Sequence, residues 1–252
     1  MSDITIICCY SNEKIYNNFL DSLKTQTCNY EIICIDNTGN KKFSSCSSAY
    51  NSVLNQIRTK YVIFSHQDIL FNKPDSLAKF LEYLDKIAPH DILGVAGVKF
   101  NEVGVFANIL HKNKAGEFIF AGDFRLQSPM MECDTLDECF FGGYSEHFRA
   151  NPFDEKICNN WHLYAVDACL NTKAKSGHVF ICDPEILHLS AGNLSMLFHY
   201  GFYRLCGKYS KFFPVINTTC TTSKTDFINR NYYLFRFFRH YVKVFILSHL
   251  KL

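Results

Sequence analysis

Apolar and polar positions along this chain switch between the two periods that distinguish strands from helices. Residues 4–9 form a short apolar run closed by the polar turn Tyr10-Ser11-Asn12-Glu13. Between 14 and 27, Ile15, Phe19, Leu20 and Leu23 recur at helical spacing. A second strand over 30–35 ends in Asp36-Asn37-Thr38-Gly39, a strong turn signal. A Ser-rich stretch then leads to a helix near 49–58 with Tyr50, Val53, Leu54 and Ile57 on one face. Residues 61–65 are β-branched and aromatic, as in a buried strand, and stop abruptly at His66-Gln67-Asp68. Strand–helix–strand–helix–strand implies a parallel sheet with right-handed crossovers. Its three polar turns then line one edge, where open α/β sheets bind their ligands.

The second half is less regular. Residues 72–75 break the chain, 76–87 read as a helix and 92–98 as a strand. Residues 101–122 read as hairpin or loop, and 134–141 as a strand with Asp134, Asp137 and Glu138 embedded. A helical segment spans 161–173, and 179–182 and 186–189 are short strands about Asp183-Pro184-Glu185. Residues 195–209 look helical. From 231 onward, Arg236, Arg239, His240 and Lys243 share one helical face, with Leu234, Phe238, Tyr241, Val242 and Phe245 opposite. Such a helix suits an anionic membrane surface; a core helix with snorkelling basic residues has the same pattern.

Composition narrows the class. The 252 residues are 48% hydrophobic with a formal charge of +2, enough for a substantial core and no argument for nucleic acid. The 12 cysteines include no Cys-x-x-Cys pair, and several (Cys8, Cys9, Cys34, Cys182) fall inside expected strands. They read as small buried hydrophobes with free thiols. With no leader-like start and no apolar run of about 18 residues, a cytoplasmic protein is expected.

Candidate chemistry centres on the end of the 61–65 strand. A histidine and a carboxylate two residues apart suit a metal held against an anionic ligand; an ordinary polar turn has the same composition. Five stretches in order carry more. They are Ile6 to Glu13, Ile33-Cys34-Ile35-Asp36-Asn37, Ala49-Tyr50-Asn51, Phe64-Ser65-His66-Gln67-Asp68, and Phe153-Asp154-Glu155 through Trp161-His162-Leu163-Tyr164-Ala165-Val166-Asp167 to His188-Leu189-Ser190. Together they resemble the family 2-type glycosyltransferases of GT-A fold, in a bacterial subgroup with His-Gln-Asp in place of Asp-x-Asp. The likeness covers residues 3–192.

The resemblance implies an α/β, Rossmann-like nucleotide-diphospho-sugar transferase fold with a mixed central sheet and a helical C-terminal extension. Its transfer domain would be 1–192, a nucleotide-binding half (1–98) and an acceptor and metal half (99–192), with 193–252 as the extension. It carries Cys9, Tyr10, Asp36, Asn51, His66 and Gln67 to the nucleotide sugar, and Asp68 and His188 to the metal, Mn²⁺ or Mg²⁺. An acceptor-only carboxylate at Asp36 matches the N–H edge of uracil. The usual base position is Ala165, so the base falls to Asp167, or to Asp137 or Glu138. The implied reaction is metal-dependent, inverting transfer from a UDP-sugar to a saccharide or lipid-linked oligosaccharide of a surface glycan, peripheral on the inner face of the membrane. Two alternatives stay open: a non-catalytic sugar-nucleotide-binding protein and a nucleotidyltransferase. The latter lacks its Gly-rich loop, since Tyr10-Ser11-Asn12-Glu13 holds no glycine.

Overall fold

The computed structural model describes residues 3–100, 102–113, 115–189 and 194–249, the side chains of 112 and 244–249 excepted. Ser190, the facing of Phe245 and the expected boundary at 192 lie outside the described residues.

The amino-terminal third runs β1 (Ile4–Tyr10), α1 (Glu13–Leu23), β2 (Glu31–Asp36), α2 (Cys46–Asn51), β3 (Tyr61–Ser65), β4 (Ile69–Phe71) and α3 (Ser76–Leu84). Side-chain caps start the first two helices. Asn12 Oδ1 accepts from Ile15 N at 3.2 Å, and Ser45 Oγ accepts from Ser48 N at 3.2 Å. The expected 49–58 helix is shorter than its periodicity suggested. α2 ends at Asn51 and a 3₁₀ turn follows, yet Tyr50, Val53, Leu54 and Ile57 are all buried.

The middle holds β5 (Ile92–Gly94), β6 (Ala96–Val98), β7 (Phe106–Ala107), β8 (Leu110–Lys112), β9 (Phe118–Phe120), β10 (Met130–Cys133), β11 (Thr135–Leu136), β12 (Phe140–Tyr144) and α4 (Ser145–Ala150). Then come α5 (Tyr164–Ala174), β13 (Val179–Cys182), β14 (Ile186–His188), α6 (Met196–Tyr209), the hairpin β15 (Val215–Asn217) and β16 (Thr222–Lys224), and α7 (Phe227–His249). Two expectations are corrected. The 92–98 strand divides into β5 and β6, which join different sheets. Asp137 and Glu138 lie in the bend between β11 and β12, outside any strand.

The main sheet has the order β10-β13-β5-β12-β3-β1-β2. β2, β1 and β3 are mutually parallel, and β12 enters antiparallel between β3 and β5, so the sheet is mixed. Pleating sorts side chains by alternation. Val62 and Phe64 enter one core with Tyr50, Phe141 and Phe153, while Tyr61 and Ile63 enter the other with Phe19, Phe80 and Phe140. β3 is thus buried on both faces, as its uninterrupted apolar run requires. Beside it, a Cβ on Gly142 would fall 2.1 Å from Val62 O, so only glycine lets β12 approach there. A smaller sheet, β4-β14-β8-β9, stands at the strand ends.

The twelve cysteines are all free. Among the described residues no helix is long and apolar enough to cross a membrane.

α6 and α7 pack as a pair through aromatic rings. His199 on α6 is 4% exposed, stacks on Phe237 with centroids 3.7 Å apart, and shares a 2.7 Å hydrogen bond with Tyr233. Burial, with Arg236 and His240 nearby, pushes its imidazole down to about 4. The unfolded chain protonates this group near 6.5. The unfolded state therefore binds more protons below that value, and stability is lost as pH falls from 6.5 toward 4. Between pH 7 and 5 this group should cost on the order of 2 kcal/mol in denaturant unfolding, and His199→Gln should remove that part of the fall. An identical pH slope in the variant would refute the assignment.

Candidate functional site

The ends of β1, β2 and β3 open onto a cleft of about 320 Å³. Its walls are Cys9, Tyr10 and Ser11 after β1, Asn37 and Asn40 after β2, and Cys46 and Tyr50 from α2. His66, Gln67 and Asp68 follow from β3, and Trp161, His162 and Tyr164 close the far side.

On the β1–β2 side, Tyr10 and Asp36 are register partners. Tyr10 stacks flat on Tyr16, with centroids 4.1 Å apart and planes 3° from parallel. Asp36 is exposed at the rim, and the Thr38 amide on its carboxylate at 2.8 Å holds its pKa below the ordinary value. The carboxylate there is an ionised acceptor beside an aromatic face. Gln67 is framework as well as wall: its Oε1 accepts from Ser11 N (3.1 Å) and Asn12 N (3.0 Å), tying the β3 end to the β1 turn.

The centre of the site is His66, Asp68 and His188, whose ligand-type atoms lie within 4.8 Å of one another. Antiparallel pairing of β4 with β14 sets Ile69 opposite His188, and Leu189 N donates to Asp68 O at 2.9 Å. His188 Nε2 therefore reaches within 3.4 Å of Asp68 Oδ1, buried and without a hydrogen-bond partner. Burial opposes a charged His188, but Asp68 outweighs it and raises its pKa; burial lowers that of His66.

A hydrogen-bond chain sets the His66 tautomer. The Tyr164 hydroxyl donates to Glu138 C=O at 3.3 Å, because a carbonyl can only accept. Tyr164 must then accept from His66 Nε2–H, 2.9 Å away, which leaves the Nδ1 lone pair facing Asp68 Oδ1 at 4.0 Å. One carboxylate and two imidazoles, one with an orphaned buried nitrogen, suit a divalent metal with a mixed nitrogen and oxygen shell. An outer partner that orients a ligand histidine is a usual feature of such sites.

Behind the histidines, Asp137 accepts from Cys139 N (3.0 Å) and from Thr219 Oγ at 2.9 Å. Burial works against its charge, yet His188, His66 and these donors keep its pKa below normal. Glu138 behaves oppositely: burial raises its pKa, and Oε1 has no hydrogen-bond partner. Its Oε2 lies 3.5 Å from His162 Nδ1. His162 and Tyr164 both reach the cleft because Leu163 between them takes a left-handed φ of 73° at the start of α5.

Two sequence expectations place residues elsewhere. Asn51 does not line the cleft; its amide clamps the 153–155 segment through Phe153 N and O and Glu155. Asp167, 5% exposed, also misses the cleft. It accepts from Lys208 Nζ at 2.7 Å and Tyr209 OH at 2.9 Å, joining α5 to α6. Helix periodicity gave no sign of this, because both partners come from α6. Conversely, the roles of Tyr164, Thr219 and the His162–Glu138 pair were missed. Only the adjacency of Trp161-His162 to the 164–167 segment hinted at them. Asp167→Ala should lower unfolding free energy by about 2 kcal/mol, since it removes the carboxylate that accepts from Lys208 and Tyr209 and leaves Lys208 paired with Asp154 alone. An unchanged denaturation midpoint would contradict this structural role.

The chain matches the model of a glycosyltransferase-like family over residues 5–189. Solved structures are similar in fold. One is a mannosyltransferase, PcManGT from Pyrobaculum calidifontis, in complex with GDP-Man and Mn²⁺ (TM-score 0.56, 12% identity, 83% of this chain and 64% of that one). A second is S. aureus TarS 1–349 with UDP-GlcNAc (0.56, 13%, 82% and 66%). A third is GalNAc-T7 with UDP, GalNAc and Mn²⁺ (0.57, 7%, 84% and 51%). The mixed sheet and these likenesses identify the GT-A fold. The chain spans less than two thirds of the length of these structures. No curated relative matches the sequence.

Proposed function

The chain belongs to the glycosyltransferase-like family, and on that premise we propose that it moves a sugar from a UDP-sugar donor to a saccharide acceptor. The observation that carries this reading is the His66–Asp68–His188 cluster at the strand ends, opening on a cleft lined by Tyr10, whose register partner on β2 is Asp36. The chain fits the subgroup with His-Gln-Asp in place of Asp-x-Asp.

In this reading Tyr10 flanks the base, Asp36 accepts from the uracil N–H, and Cys9 borders the nucleoside. Gln67 frames the pocket through the Ser11–Asn12 turn. Asp68 and His188 hold a divalent metal, and His66, which the sequence reading gave to the nucleotide sugar, joins them because its ring nitrogen faces the same point. The nitrogen ligands favour Mn²⁺ over Mg²⁺, which prefers oxygen shells. When bound, the metal supplies positive charge against the departing nucleoside diphosphate. The base is the His162–Glu138 pair: Glu138 holds Nδ1–H, and Nε2 takes the acceptor hydroxyl's proton. In-line attack by that hydroxyl inverts the anomeric centre. Residues 1–98 serve the nucleotide and supply two of the metal ligands, 99–192 supply His188 and the acceptor side, and 193–252 form the extension. A lipid-linked acceptor for a bacterial surface glycan would put the reaction on the cytoplasmic face of the membrane.

A non-catalytic nucleotide-binding protein is the second reading, favoured by Ala165 at the usual base position and by Asp167 locked onto Lys208. Isothermal titration with UDP, with and without Mn²⁺, tests the donor site. Metal-dependent binding is expected in the natural chain and at least about 100-fold loss in Asp68→Ala. Equal UDP affinity in that variant would sink the metal assignment. His162→Gln should keep metal-dependent UDP binding and lower sugar transfer by about 10²-fold or more. A fully active His162→Gln protein would remove this residue as base, and a natural chain that binds UDP but never transfers sugar would leave the second reading.

A further inference from the structure

α7 carries two apolar stripes, and only one is covered. Tyr233, Phe237 and Tyr241, four residues apart, face α6 and its surroundings: Tyr233 and Phe237 pack around His199, and the Tyr241 hydroxyl donates to Leu194 O at 2.9 Å. At 100° per residue the second stripe, Tyr232, Phe235, Phe238 and Val242, points away from that contact. These side chains are 65%, 56%, 56% and 40% exposed. This alters the sequence reading, which put Phe238, Tyr241 and Val242 on one face; Tyr241 belongs to the inner stripe.

The outer stripe continues across the neighbouring helix. Leu197 and Tyr200 on α6 are 64% and 48% exposed, and with Phe235 and Phe238 they border a groove of about 520 Å³. Isolated exposed apolar side chains need no explanation, but a contiguous patch of this kind marks an interaction surface. Its flank is positive. Arg236, Arg239 and Lys243 line the stripe on the side where Phe235 and Tyr232 end, and Arg204 accompanies Tyr200. Arg239 lies 5.7 Å from the Phe235 ring centroid. Neither α6 nor α7 contains an aspartate or glutamate.

We infer that the outer face of α6 and α7 docks on an anionic phospholipid surface. The aromatic stripe enters the headgroup region and the flanking cations meet lipid phosphates. Acid-free cation flanks complement an anionic lipid sheet. A second copy of the chain would bring the same positive flank against itself, which opposes a dimer through this face. The inference deepens the lipid-linked acceptor reading, since it supplies the contact that brings the cleft to such a substrate.

The test is sedimentation of the full chain with two sets of vesicles, phosphatidylcholine alone and phosphatidylcholine with phosphatidylglycerol. No UDP, metal or sugar is present, so a chain without transferase activity gives the same result. Binding to the anionic vesicles only, weakening with salt, is expected. Two double variants should each cut it by about tenfold or more: Phe235→Ser with Phe238→Ser, and Arg239→Glu with Lys243→Glu. All four positions are exposed, so unchanged unfolding midpoints and unchanged UDP titration should accompany the loss. Three outcomes would overturn the inference: no binding to either vesicle, equal binding to both, or anionic binding that neither double variant reduces. A dimer in light scattering that the phenylalanine variant dissolves, without vesicle binding, would assign the face to a second copy instead.

Discussion

The pairing of β4 with β14 is the constraint on which the candidate site depends. Asp68 follows a buried parallel strand, whereas His188 ends a three-residue strand late in the chain. Neither position is chemically distinctive alone. Antiparallel registration of Ile69 with His188 puts a carboxylate oxygen 3.4 Å from an imidazole nitrogen in a nearly dry setting. An unsatisfied buried nitrogen costs free energy unless something else fills its shell. A divalent cation in the proposed site would meet that need with the groups already present.

A second layer then decides what those groups present. Glu138 acts twice through different atoms: its carbonyl anchors Tyr164, which orients His66, and its carboxylate faces His162. Thr219, from the β15–β16 turn, satisfies Asp137 behind the histidines. The carboxyl-terminal hairpin, beyond the family-matched residues, is thereby tied to the histidine side of the cleft. Asp137 stays ionised among neighbouring imidazoles while Glu138 is pushed toward neutrality. Adjacent carboxylates are thus separated in character by their donors, the arrangement that acid–base sites use.

The helical extension is bound to the sheet domain by a partly buried charge junction. Lys208 on α6 reaches both Asp154 and Asp167, and Tyr209 adds a second bond to Asp167. This fixes α6, and through the His199 stack it fixes α7. The outer aromatic stripe is consequently held in a set orientation relative to the cleft, as docking on a surface requires.

Much of this was legible in the chain. The three strand ends, the helices at 14–27 and 76–87, the late strands and the carboxyl-terminal helix all follow from periodicity, because an element that buries one face must repeat its apolar residues at its own pitch. The order of motifs likewise pointed to the strand ends that border the cleft and singled out Asp68 and His188, which the fold brings within 3.4 Å of each other. What the sequence could not settle is which side chains meet. Asn51 and Asp167 stand in motif positions, yet their partners, Phe153 and Lys208, come from segments that only packing brings near. The split of 92–98 between two sheets, the His162–Glu138 pair and the second stripe of α7 share that cause. Periodicity reports how much of a residue's surroundings are apolar, whereas a hydrogen bond, a ligand shell or a covered face depends on contacts between distant segments, and only the tertiary structure decides those.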